Sequence, residues 1–494
     1  MASIDTKKLP LTLLTAMVVG GMVGAGIFSL PRTFAGATGP FGAIIAWLIA
    51  GTGMYMMARV FQSLAERKPD LDAGVYAYAK AGFGDYPGFL SAFGYWMGSC
   101  IGNVSYWVLI KSTLGAFFPV FGAGNTISAI VVASIGIWLF HFLILRGVQQ
   151  AALINSIVTV AKIVPILVFI VILIGYFRLD LFQANFWGGT ASGLFEQDYR
   201  GFVHQHLTEP PAASLFEQVR ATMLTTVFVF LGIEGASVYS RYAKERSDVG
   251  KATIVGFVLV TSLMVLVTLL PYAVLHRAEI AGMRQPSMAA VLEAVVGPWG
   301  GVFVSIGLLV SVLGAYLAWS LICAEVVSAA ARTKDMPAMF ARENANKVPA
   351  NALWLTNIVV QLFVISTYFS YDAFALMLNL TSAMNLIPYA LVAIYGFMTS
   401  HTGEGYAAGS RHRQRDLIMA AVAVAYTIFM IYAGGLKFVL LAGVLYAPGT
   451  ALYIWTRREQ AKPVFKTIDW ILFGVAVVCA IAGIHGLITG SITV

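Results

Sequence analysis

The chain has 494 residues, of which 59% are hydrophobic and only 11% are charged. Soluble domains carry about 25% charged residues, so a water-soluble fold is excluded: it could not hide this much apolar surface. A net charge of +8 raises a nucleic-acid partner, but the placement of the charges argues against one, and the three cysteines (Cys100, Cys323, Cys479) lie singly in apolar runs with no disulfide or metal spacing.

A bilayer core about 30 Å thick needs about 20 apolar residues per helix. Thirteen runs meet that need, near 10–33, 40–64, 86–118, 127–145, 151–176, 216–241, 249–275, 299–330, 352–369, 373–399, 416–433, 437–456 and 468–490. The pattern predicts an all-α polytopic membrane protein, a single transport domain over 1–494. Its first run follows a short polar start and leads into Leu30-Pro31, which reads as a retained helix and not a cleaved signal. The longest polar stretch, Asp180 to Pro211, carries His204 and His206, a pair more in keeping with solvent than with a metal. No metal, catalytic centre or cofactor is expected.

With the N-terminus in the cytoplasm, 21 of the 31 Lys and Arg residues fall on inner loops, seven on the outer side and three (Arg59, Lys111, Lys162) inside helices. Such a bias fixes orientation by the positive-inside rule and explains the basic balance as topology.

Two runs are interrupted in matching ways. The first holds Gly24-Ala25-Gly26 and the sixth Gly232-Ile233-Glu234-Gly235. Glycine is costly inside a helix and favours unwinding. The breaks stand five runs apart, an odd number, so the two helices enter from opposite sides. That spacing predicts inverted repeats over 10–176 and 216–400, with added C-terminal helices over 416–490 and a site at two discontinuous helices. Half-helix N-termini favour a carboxylate and freed carbonyls an ammonium, which suits a zwitterionic amino acid backbone.

Ionisable residues deep in a membrane are functional by default. Glu234 lies in the second break and Lys162 mid-way along the fifth run; Arg59 and Lys111 stand near helix ends, where snorkelling to the interface is expected. Glu325 lies towards the inner end of the eighth run and carries a weaker expectation. Trp319, in the same run, is either packing or a π-face for a cation, and Tyr95, Asn103 and Tyr389 are ambiguous from position alone.

Several segments make the chain similar to a known family: GAGIFSLP (24–31), IGN (101–103), GIEGASV (232–238), AWSLICAE (318–325), ENANKVPANALWLTN (343–357) and LIPY (386–389). To these add RKPDLDAGVYAYAKAGFGDY (67–86), ERSDVGKAT (245–253) and QPSMAAVLE (285–293). Nearly end to end, the sequence resembles the basic amino acid/polyamine antiporters of the amino acid–polyamine–organocation superfamily. The resemblance implies a LeuT-type fold of two five-helix inverted repeats in a bacterial inner membrane. It implies exchange of cationic amino acids, with arginine for ornithine as the expected pair. Lysine/cadaverine, histidine/histamine or arginine/agmatine exchange, and a proton-coupled transporter, are the alternatives. A homodimer is compatible with it.

The same resemblance assigns roles. Gly24, Ala25 and Gly26 would meet the substrate carboxylate, and Leu231, Gly232 and Ile233 the α-ammonium. Asn103, Phe228 and Trp319 would meet the side chain, with Trp319 also a middle gate. Tyr95, Glu234 and Tyr389 would close a gate on the cytoplasmic side, and Lys162 would fill the space of a sodium ion. Phe228 stands where the family's arginine/agmatine member has Trp, and Ala25 where it has Ser, so an indole N–H and a hydroxyl are missing here.

Overall fold

A computed structural model describes residues 11–68, 70–71, 75–147, 151–188, 214–233, 246–370, 372–406 and 410–493. No strand occurs among them. The helices, numbered in chain order, are α1 (Leu11–Met22), α2 (Leu30–Ala37), α3 (Pro40–Arg67), α4 (Val75–Phe83), α5 (Asp85–Phe117), α6 (Ile127–Leu145) and α7 (Ala151–Gly175). There follow α8 (Leu179–Asn185), α9 (Leu215–Phe230), α10 (Arg246–Leu269), α11 (Arg277–Gly282) and α12 (Ser287–Val296). The last five are α13 (Pro298–Arg332), α14 (Ala350–Ser366), α15 (Ala373–Thr402), α16 (Arg411–Glu459) and α17 (Thr467–Ile488).

Every apolar run contains helix, but eight helices among the described residues are long and apolar enough to cross a membrane, and a ninth candidate is the pair Ala161–Gly175 and Leu179–Asn185, bent by 104°. The runs that do not qualify differ for physical reasons. The first and sixth are broken. The third, α5, is rich in Gly, Ser, Tyr and Trp because 28 of its 33 residues are buried against protein, where lipid solubility is not required. The eleventh and twelfth are halves of α16, whose regular backbone is interrupted only at Gly435 (φ 75°, ψ 169°).

Local chemistry starts and stops the helices. Thr126 caps α6 by accepting from the Ala129 N–H at 3.2 Å, and Asp372 caps α15 by accepting from Ala375 at 3.1 Å. Gly403, left-handed at φ 82°, ends α15. Pro165 interrupts the backbone ladder inside α7, and the bare surface of Gly307 on α13 accommodates its ring: a Cβ at 307 would fall 2.2 Å from Pro165 Cγ.

The two interruptions lie against each other. On the N-terminal side helix stops at Met22, Gly24 is extended, and Ala25–Ser29 continue as a 3₁₀ turn before Pro31 helps to start α2. The break is thus centred on Val23–Gly24 and not on Gly24–Gly26. On the other side α9 stops at Phe230, Leu231 is extended (ψ 136°) and Gly232 takes φ +103°. A Cβ at Gly232 would sit 2.6 Å from the Gly21 carbonyl oxygen, so two backbones meet there with no room for a side chain. Gly26 is equally confined: its Cβ would fall 2.7 Å from Val229 and 2.8 Å from Phe228. Glu234 and Gly235 lie outside the described residues, as do His204 and His206.

Candidate binding cavity between two broken helices

A narrow cavity opens beside the two interruptions. Its walls bring together Gly24 and Gly26 of the first break, Asn103 of α5, Phe228 and Leu231 at the end of α9, and Trp319 of α13. Ala25 and Ile233 are fully buried behind this lining, and Gly232 is turned against Gly21. Trp319 is half-buried on α13, leaving part of its indole free.

Sequence reasoning missed Thr381 and Asn385, which line the cavity from α15. Their i, i+4 spacing puts both on one helix face, and two polar residues at that spacing in an apolar helix are the signal that could have found them. Tyr106 and Ser99, from α5, line it too.

The polar atoms here are incompletely used. The Asn103 amide donates to Ser320 Oγ at 3.4 Å and to Cys323 Sγ at 3.8 Å, and the Asn385 amide donates to the Thr381 carbonyl at 2.8 Å. Among the described residues, Asn103 Oδ1, Asn385 Oδ1 and Thr381 Oγ1 are buried with no partner. A buried unsatisfied polar atom costs about 1–3 kcal/mol. Three of them around one cavity is the pattern of a site completed by a ligand, and two carbonyl-type oxygens call for a ligand that donates. No charged side chain is among the lining residues described.

Lys162 is not on the cavity wall. Its Nζ, on a side chain 4% exposed, donates to the Gly20 carbonyl at 2.9 Å. That carbonyl is free because its usual helical donor, the Gly24 N–H, bonds to Met22 instead. The ammonium therefore satisfies an oxygen released by the break in the first helix.

Tyr95 and Tyr389 are buried and stand away from the lining, Tyr389 edge-on to Phe61 at 5.6 Å; Ser99, one turn along α5, donates to the Tyr95 carbonyl. Lys111 overturns the expected snorkelling: it is 1% exposed, and its Nζ donates to Thr367 Oγ1 at 2.8 Å, because the end of α14 folds over it. Arg59 is half-buried and bonds to Gln62 at 2.8 Å. Glu325 is exposed and pairs with Arg332 at 3.2 Å, so it belongs to the surface. His141, near a helix end in sequence, is fully buried, with Nδ1 2.9 Å from the Asn357 amide.

The two ends of the bundle are tied unequally. At one, Lys80 pairs with Asp335 at 2.7 Å, Arg457 with Asp85 at 2.9 Å and Arg67 with Asp416 at 2.8 Å. Burial pushes the Asp335 carboxyl up from its ordinary value, and the neighbouring Lys80 pulls it part of the way back. At the other end Arg32 reaches Asp372 at 3.3 Å across a half-exposed gap.

A cavity between two interrupted helices, with no charged side chain among its described lining residues, inside a helical membrane bundle defines a carrier of small solutes. The amino acid permease family model matches residues 11–442, and the chain belongs to that family. It is 49% identical, over the whole of both chains, to an arginine/ornithine antiporter of Pseudomonas aeruginosa. It is 39% identical to an L-lysine transport protein of Corynebacterium glutamicum, over 100% of this chain and 97% of the relative. An arginine/agmatine antiporter of Chlamydia abortus is 40% identical, over 91% of this chain and 90% of its own.

Proposed function

We propose that the chain is a secondary antiporter that exchanges arginine for ornithine across a bacterial inner membrane by alternating access. The observation that carries this is the set of orphaned acceptors, Asn103 Oδ1, Asn385 Oδ1 and Thr381 Oγ1, around a cavity walled by Trp319. A guanidinium brings five N–H donors and an ammonium three, each able to use those oxygens. The Trp319 face adds a cation–π contact of about 0.5–2 kcal/mol. The extended backbone at Gly24 and Leu231 serves the carboxylate and α-ammonium, with Phe228 stacking from α9.

Both substrates carry one positive charge at neutral pH. One-for-one exchange moves no net charge, whereas each charge moved across 100 mV involves about 2.3 kcal/mol. In this reading the helices form two inverted five-helix repeats with the N-terminus in the cytoplasm. Tyr95, Glu234 and Tyr389 gate the cytoplasmic side, and Lys162 replaces a coupling sodium ion. The identity with the Pseudomonas aeruginosa antiporter supports the arginine/ornithine pair. A second reading, arginine/agmatine exchange or lysine transport, is favoured by the relatives so named.

The test is purified protein in liposomes loaded with ornithine, with labelled arginine outside. Uptake dependent on internal ornithine is expected. Equal uptake into empty liposomes, or a response to histidine or lysine alone, defeats the assignment.

A further inference from the structure

A second cavity, of about 190 Å³, lies between α15, the two halves of α16, and α17. It is lined by side chains such as Leu386, Phe438, Val439, Ala442 and Cys479, and its one polar group, the Tyr446 hydroxyl, already donates to the Met384 carbonyl at 3.4 Å. Nothing here satisfies water or a polar solute, so the space suits hydrocarbon.

The dimensions identify which hydrocarbon. At 1.5 Å per residue the 49-residue α16 would run roughly 74 Å unbroken, over twice the ~30 Å bilayer core. Each side of Gly435 is by itself about one span long, so the break lies at a membrane face. From Gly435 the slot follows α16 inward to Tyr446, eleven residues or about 16 Å, which is the depth of one leaflet.

The mouth carries a charge. Lys437 stands two residues beyond Gly435 and beside Phe438, with its Nζ 5.5 Å from that ring. No carboxylate pairs with it among the described residues.

We propose that this slot binds one anionic phospholipid, with an acyl chain between α16 and α17 and the phosphate on Lys437. Leu224 of α9 forms part of the slot wall, one helical turn from Phe228 on the wall of the first cavity. The lipid therefore braces the helix that ends at the second break.

The full chain is purified from mixed phosphatidylglycerol/phosphatidylcholine vesicles and its retained lipid counted by native mass spectrometry, a readout independent of transport. Wild type is expected to retain phosphatidylglycerol. Lys437→Gln should lower that retention about fivefold, the weight of one basic residue near an anionic lipid surface. Ala442→Phe, which fills the slot, should abolish it. Equal retention in wild type and Lys437→Gln overturns the proposal; that variant changes a half-exposed side chain, so the comparison stands even where Ala442→Phe fails to fold. Loss of lipid only together with loss of a dimer overturns it also, and assigns the slot to a second copy of the chain.

Discussion

Helices α5 and α17 are both long enough to cross a bilayer, yet they obey opposite rules. In α5, 28 of 33 residues are buried and the helix mixes Gly, Ser, Asn, Lys, Tyr and Trp; in α17 four of 22 are buried and the exposed faces are mostly Ile, Val and Leu, with Trp470 and His485 towards the two ends. Where protein surrounds a helix, hydrogen bonds and close packing decide its composition. Where lipid does, every side chain must be soluble in hydrocarbon. The less hydrophobic of two membrane helices is therefore the one nearer the site: α5 supplies Ser99, Gly102, Asn103 and Tyr106 to the cavity, and α17 supplies none.

Four substitutions sharpen or break that contrast. The largest effect is expected on α17: Val478, 66% exposed, replaced by Lys puts a charge in lipid at a cost of about 2.5–3.5 kcal/mol, read as a fall in membrane-inserted protein. Unchanged insertion would mean that this face does not meet lipid. Next is Gly98→Ala on α5, where the new methyl would fall 2.4 Å from the Asn385 amide nitrogen. Overpacking of about 1–3 kcal/mol should lower the unfolding temperature and displace a cavity residue. Third, Asn103→Leu removes a donor and an orphaned acceptor. Arginine binding should weaken about tenfold, the scale of a hydrogen bond to a charged group, with little change in unfolding temperature. The reverse outcome would make Asn103 structural. Smallest is Val478→Ala, expected within about 0.5 kcal/mol because little packing is lost.

These differences also explain what the sequence made legible. Both helix breaks could be read because glycine marks them, and the helix ends because lipid forces long apolar runs. The fate of Lys111 could not, since its cover comes from Thr367, 256 residues away, and nothing near Lys111 announces that neighbour. Thr381 and Asn385 were overlooked for a related reason: in a buried helix single polar residues are common, and only their unpaired atoms separate binding from packing. The break near Gly24 was readable to within two residues, because sequence shows where glycine permits unwinding but not which carbonyl a distant lysine will claim.

That lysine has a consequence for ionic supply. An ion drawn from solution occupies its site according to its concentration and leaves when the medium is depleted. The Lys162 ammonium is held to the Gly20 oxygen by its own backbone, at an effective concentration that no buffer changes. Replacing sodium by choline on both sides of the membrane should leave arginine exchange unaltered, whereas Lys162→Met should open a vacancy at Gly20 that external cations then compete to fill.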